Sequence, residues 1–219
     1  MSTLYTNARF WSAGQEIFHD LLVKDSIILA TGEQTKEFTA ETTIDLNGAF
    51  VIPAFLDGHA HPIFAGREAA GPKINGINSI EEIKAQVKAF AQANPTTPWI
   101  IGGAYEAAII EGGDFDATWL DEVVSDRPVV LHAVDHHTIW VNSKAIEVAG
   151  ITSATKDPQG GTIARHSDGS AKGTLREPSA MALVLNHAPA NTIESDIAAI
   201  TYACAEYRKV GVIAAIDSW

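Results

Sequence analysis

The chain has 219 residues, 46% of them hydrophobic, with 27 acidic against 15 basic side chains and a formal net charge of −12. This composition suits a packed globular core and gives no basic footprint for nucleic acid or anionic lipid. The expected partners are therefore small molecules or proteins, with no nucleic acid and no membrane. The opening MSTLYTNARFWSAG lacks the charged and apolar regions of a secretory signal, and no segment approaches the ~20 apolar residues of a membrane span, so a cytoplasmic location is expected. Cys204, the single cysteine, can form no intramolecular disulfide and reads as a small buried hydrophobe.

Residues 1 to 50 alternate short β-rich runs with turn residues such as Gly14, Gly32, Asn47 and Gly48, which predicts a small β module. The pattern changes at AFVIPAFLDGHAHP, where residues 49 to 52 form a continuous apolar run that fits a strand buried on both faces. Ser79 and Glu82 then form a capping box, and Ile80, Ile83, Val87 and Phe90 recur at helical spacing to Ala93. PWIIGG (98–103) and RPVVLHAV (127–134) read as further buried strands, with a helical stretch from Ala117 to Val124 between them. Another short helix follows Asn142 and ends at Gly150, and residues 158–176 read as a hairpin insertion around an Asp168-Gly169 turn. A long helix starting near Asn191 puts Ile193, Ile197, Ile200, Cys204 and Tyr207 on one side, and GVIAAIDSW closes the chain as a fourth strand of the same type.

Repeated strand-then-helix units predict an α/β fold with a mainly parallel sheet in residues 51–219, beside the β module of residues 1–50. A complete eight-stranded α/β barrel needs about 250 residues. The chain is thus expected to be either an incomplete barrel or not a barrel at all.

In LDGHAHP, His59 and His61 stand two apart at the C-terminal end of a predicted strand, so their imidazoles point to one side and can converge on one ion. Active sites of α/β barrels lie at that end of the strands. A His-x-His pair also fits two structural histidines. The apolar run before it, Gly58 and Pro62 favour the ligand reading, with a divalent cation, zinc above all, as the expected cofactor. Such an ion lowers the pKa of bound water and polarises a carbonyl.

The segment TIDLNGAFVIPAFLDGHAHP resembles the opening of the amidohydrolase superfamily, with Asp45, Gly48, Pro53, Asp57, His59 and His61 on the motif, Ala54 where the family usually has Gly, and Gly58 where Ser, Thr or Ala is common. WIIGGAYEAA, the run from WLDEVV through NSKAIEVAGI, PQGGTIARHSDGSAKGTLREPSA and GVIAAID are similar to the YtcJ-like branch, which includes N-substituted formamide deformylase-type enzymes. The resemblance implies the N-terminal part of a distorted (β/α)8 metal-dependent hydrolase barrel with a small β-sandwich module, the barrel being incomplete. It further implies hydrolysis of C–N bonds of the amide or formamide type by a metal-activated water. The family's later ligands and its general base have no counterpart in this sequence. The resemblance leaves a second reading, a truncated, non-catalytic amidohydrolase-like fragment that binds a ligand or partner, and it leaves homo-oligomerisation open.

Three further residues are candidates for the substrate pocket. His137 and Trp140 lie in DHHTIWVNS, taken as a loop after the third strand, and the resemblance places that loop at the pocket; Trp140 as core is the alternative, and Asn142 reads as a helix cap. Glu177 matches the family's Gly-x-Leu-x-Glu pattern, although a carboxylate at a helix start has a sufficient local explanation. The cluster His132, His136 and His137 could by itself suggest a second metal site, but only His137 falls on a family position.

Overall fold

The computed structural model describes residues 1–14 and 17–218, which form two compact units. The first comprises Met1–Gly58 with Val210–Ala215. Its strands are β1 (Ser2–Thr6), β2 (Arg9–Phe10), β3 (Leu21–Lys24), β4 (Ile27–Thr31), β5 (Thr42–Asp45) and β6 (Phe50–Val51), followed by the start of β7 (Phe55–Ala60). A four-stranded sheet runs β4-β3-β1-β5, and β2 pairs with β6. Between β5 and β6 the chain reverses through Asn47 and Gly48, both at positive φ, with the Asn47 N–H donating to Asp45 Oδ1 at 2.7 Å. The apolar run at residues 49 to 52 is not the expected buried strand. Phe50 and Ile52 are exposed, and among the described residues β6 pairs with β2 alone.

The second unit comprises His59–Lys209 and the last residues from Ile216. It contains α1 (Pro62–Ala69), α2 (Ile80–Ala93), β8 (Ile100–Tyr105), α3 (Ala117–Asp121), β9 (Val129–Ala133), β10 (Thr138–Val141), α4 (Ser143–Val148), β11 (Thr162–Arg165), β12 (Ala171–Arg176), α5 (Glu177–Leu185), α6 (Ile193–Lys209) and the end of β13 (Val212–Asp217). A five-stranded sheet runs β11-β12-β10-β9-β8. Only β8 and β9 pair in parallel; the other three pairings are antiparallel. The expected mainly parallel sheet is therefore a mixed one. The cause is the short 134–137 turn, which returns DHHTIWVNS as β10 against β9 and is too short for a crossover helix.

Both faces of this sheet are covered. Val129 and Leu131 face a core with Ile83 and Val87 of α2, whereas Val130 faces Ile139, Val141 and Val184. Alternate residues of one strand thus serve two cores, which is why β9 reads as a continuous apolar run. α2 begins as its capping box predicts, the Glu82 N–H donating to Ser79 Oγ.

α6 packs against α1 through small residues. A Cβ at Gly66 would collide with the backbone of Ala199, and Ala199 and Ala203 are the buried residues of α6. The side carrying Ile193, Ile197, Ile200 and Cys204 is exposed, so Cys204 is not the buried hydrophobe expected. Close backbone approach decides which face of α6 is buried, and bulky isoleucines would hold the two helices apart. β13 pairs with β7, not with β9: the Phe55 N–H donates to Gly211 O at 2.8 Å, and the Ser218 N–H to Ala60 O at 3.1 Å. Trp219, which closes the predicted fourth strand, lies outside the described residues. No described helix is long and apolar enough to cross a membrane.

Candidate active site at the end of strand seven

β7 ends at Ala60, and Pro62 opens α1 in the first helical position, where its missing N–H costs nothing. His59 and His61 flank that junction. Their rings lie 5.3 Å apart between centroids at an interplanar angle of 79°. The Ser218–Ala60 pairing brings Asp217 alongside, with Oδ1 3.7 Å from His61 Nδ1. Two imidazoles and a carboxylate form the donor set that a borderline-soft divalent cation takes. Among the described residues, however, no three or more His, Cys, Asp or Glu side chains are placed to hold an ion. The residues present thus fit part of such a site in donor chemistry, with His59 and His61 as candidate nitrogen donors.

Phe64, one turn into α1, lies next to His61 at 6.0 Å and to His136 at 5.5 Å between ring centroids. His136 stands 6.3 Å from His132, and its Nδ1 is 3.6 Å from Glu68 Oε1. Glu68, His132 and His136 line a cavity of about 750 Å³ with Phe64, Phe90 and Trp99 among its apolar walls. Burial pushes the Glu68 carboxyl up to about 7. Burial, then repulsion from His136, pushes His132 down to about 4, and His136 is also lowered by burial and by His61. Gly103 leaves space for Glu68, since a Cβ there would overlap the carboxyl group.

The three pocket candidates separate. His137 and Glu177 come together, Nδ1 to Oε2 at 3.1 Å, and the Glu177 N–H donates to His137 O at 2.7 Å. Glu177 and the neighbouring His136 both have positive φ, at 68° and 57°. Such backbone is costly for residues with a Cβ and collects at functional sites. Trp140 is 0% exposed on β10 and packs among Tyr105, Phe115 and Trp119, its indole N–H donating to Asp116 O at 2.9 Å. That is a core position with no surface for a ligand. Asn142 caps α4, as expected.

The sequence offered little sign of Glu68 and Asp217. Glu68 sits on a helix with no motif around it, and Asp217 reaches His61 only through the β7–β13 pairing. The histidine cluster, by contrast, was legible but is divided: His132 and His136 share the cavity with Glu68, while His137 turns to Glu177.

Comparison with known proteins bears on this geometry. A family model described as "Amidohydrolase family" matches residues 42–219. The chain is 35% identical over 173 residues to "Putative amidohydrolase YtcJ" of Bacillus subtilis (strain 168), covering 76% of this chain and 32% of that protein. It is 27% identical over 181 residues to "N-substituted formamide deformylase" of Arthrobacter pascens, covering 80% and 33%. In fold it is similar to an uncharacterized metal-dependent hydrolase from Pyrococcus furiosus, with a TM-score of 0.65 and 21% identity over 98% of this chain and 44% of that one. The chain spans about a third of the length of these curated relatives.

Proposed function

The chain belongs to the amidohydrolase family, in its YtcJ-like branch, and from that membership we propose that it serves metal-dependent hydrolysis of a C–N bond in an amide or formamide, as a part of a (β/α)8 barrel that also carries a β-sandwich module. The observation that carries this reading is the placement of His59 and His61 at the end of β7, inside the span that matches the family model. In their neutral form these imidazoles would hold a divalent cation, zinc by its preference for nitrogen donors. When bound, that ion would polarise a carbonyl and make water acidic enough to act as a nucleophile at neutral pH.

The rest of the site prepares binding. Asp217 Oδ1, 3.7 Å from His61 Nδ1, places a carboxylate beside that ring. The exposed pair His137 and Glu177 offers a donor and an acceptor to the polar end of a small-molecule substrate. Trp140 supports that pair from the core without touching substrate, since β10 joins His137 to the sheet.

Elemental analysis after equilibrium dialysis against zinc tests the reading. His59→Ala and His61→Ala should each lower bound metal at least about tenfold while the circular dichroism spectrum stays unchanged. Wild-type metal content in both variants would refute the ligand assignment. Metal binding without turnover of any amide or formamide would favour the non-catalytic, ligand-binding alternative.

A further inference from the structure

α6 carries apolar or small side chains on two of its faces. One face is settled: Ala199 and Ala203 are buried, and Gly66 of α1 meets the Ala199 backbone. The other is open to solvent. Ile193, Ile197, Ile200 and Cys204 are exposed along it, and the half-buried Tyr207 closes it. These positions follow one another at steps of four, three, four and three, which is the a/d spacing of a coiled-coil seam. The seam runs nearly the whole of a 17-residue helix, about 26 Å. A helix face that stays in water is ordinarily polar.

The residues flanking the seam are ordered by charge. On its solvent side, at seven-residue intervals, stand Glu194, Thr201 and Arg208, all three exposed. The acid is in the first turn of α6 and the base in the last. On the opposite flank Asp196 is committed to Arg67 and Ala203 is buried, so that side turns toward the rest of the chain.

We propose that two copies of this chain pair through the open face of α6, antiparallel about a two-fold axis near Thr201 and Tyr202. Ile197 then lies across from the partner's Tyr207, Ile200 across from the partner's Cys204, and Glu194 across from the partner's Arg208, each contact occurring twice by symmetry. A parallel pairing would instead set acid against acid and base against base. Antiparallel helices also oppose their macrodipoles favourably. The apolar seam supplies the affinity, and the flanking charges supply register and direction. α6 is already held against α1, so association does not have to pay for helix formation. The net charge of −12 repels the copies at long range, but at 0.15 M salt, where the Debye length is about 8 Å, that repulsion is screened more than ion pairs in contact. Neither His59 nor His61 enters this inference, which therefore stands apart from the hydrolase reading.

Sedimentation of the 219-residue chain at about 0.15 M salt, over about 1 to 100 μM, reads the dimer directly. The wild type should pass from monomer to dimer with rising concentration. Glu194→Arg and Arg208→Glu should each weaken association at least about tenfold, since each sets two like-charged pairs across the axis. An equimolar mixture of the two variants should regain the wild-type dissociation constant to within about threefold, because the mixed dimer restores both opposite-charge pairs. The mixture also controls for folding: a variant that merely unfolded would not be rescued by the other. The double variant Glu194→Arg with Arg208→Glu, which is self-complementary again, should dimerise as the wild type does. A wild type that stays monomeric across the range, single variants that associate undiminished, or a mixture and double variant that both stay dissociated would overturn the proposal. Growth beyond the dimer that neither charge reversal alters would place association on another surface and overturn it as well.

Discussion

Glu68 and His132 show how burial acts with opposite sign on an acid and a base in one cavity. The Glu68 carboxyl, raised from 4.5 to about 7, keeps its proton in the folded chain while the unfolded chain releases it near 4.5. Its contribution to stability is therefore lost as pH rises from about 4.5 to 7. His132, lowered from 6.5 to about 4, refuses a proton that the unfolded chain accepts below 6.5. Its contribution is lost as pH falls from about 6.5 to 4. His136, which acts on His132, is itself lowered and so works in the same sense. In the wild type the two slopes oppose one another between about pH 4.5 and 6.5. Glu68→Gln should leave a protein that loses stability on acidification across that window, and His132→Gln should lessen or reverse that slope. Urea midpoints measured from pH 4 to 8 decide it: parallel profiles for the two variants would mean that burial does not set these pKa values.

At the scale of elements, Asn142 joins three segments of the second unit. Its Oδ1 accepts from Val129 N and Ala145 N, each at 3.0 Å, and its Nδ2 donates to Val124 O and Arg127 O, each at 2.9 Å. The sequence read it as a helix cap, which accounts for only the Ala145 bond. Losing a cap costs about 1 kcal/mol. Leaving further buried backbone groups without partners costs about 1–3 kcal/mol more. Asn142→Ala should therefore lower unfolding free energy by about 3 kcal/mol in urea titrations. A loss near 1 kcal/mol would show that the side chain acts as a cap and nothing else. The same segment explains why β10 escaped a reading by pattern: Thr138–Val141 is only four residues long, buried throughout, and lacks the alternation that marks a strand against solvent. Trp140 follows from this. Placed in a loop it would border a pocket; placed in a buried strand it is core.

Over the whole molecule, the surface carries more large apolar side chains than its charge suggests. Ile193 and Ile197 on α6 are 75% and 58% exposed, and Leu56 and Ile213 on β7 and β13 are 73% and 70% exposed. Contiguous apolar surface and open strand edges favour association. The 219-residue chain should sediment with a concentration-dependent mass, and the double change Ile193→Lys with Ile197→Glu should shift it toward the monomer. A concentration-independent monomer for the unaltered chain would rule this out. Sequence alone determined what depends on local order: the helix starts at Ser79 and Asn142, the hairpin at Asp168-Gly169, and the adjacency of His59 and His61. Caps, tight turns and side chains two apart on a strand are fixed by neighbours within a few residues, so spacing suffices to read them. The tertiary structure decided the rest. It set the antiparallel return of β10, the exposed face of α6, the approach of Asp217 to His61, and the meeting of Glu68 with His132 and His136. Each of these joins residues far apart in the chain, or turns on how closely two backbones can approach, and neither is written in the periodicity of any single segment.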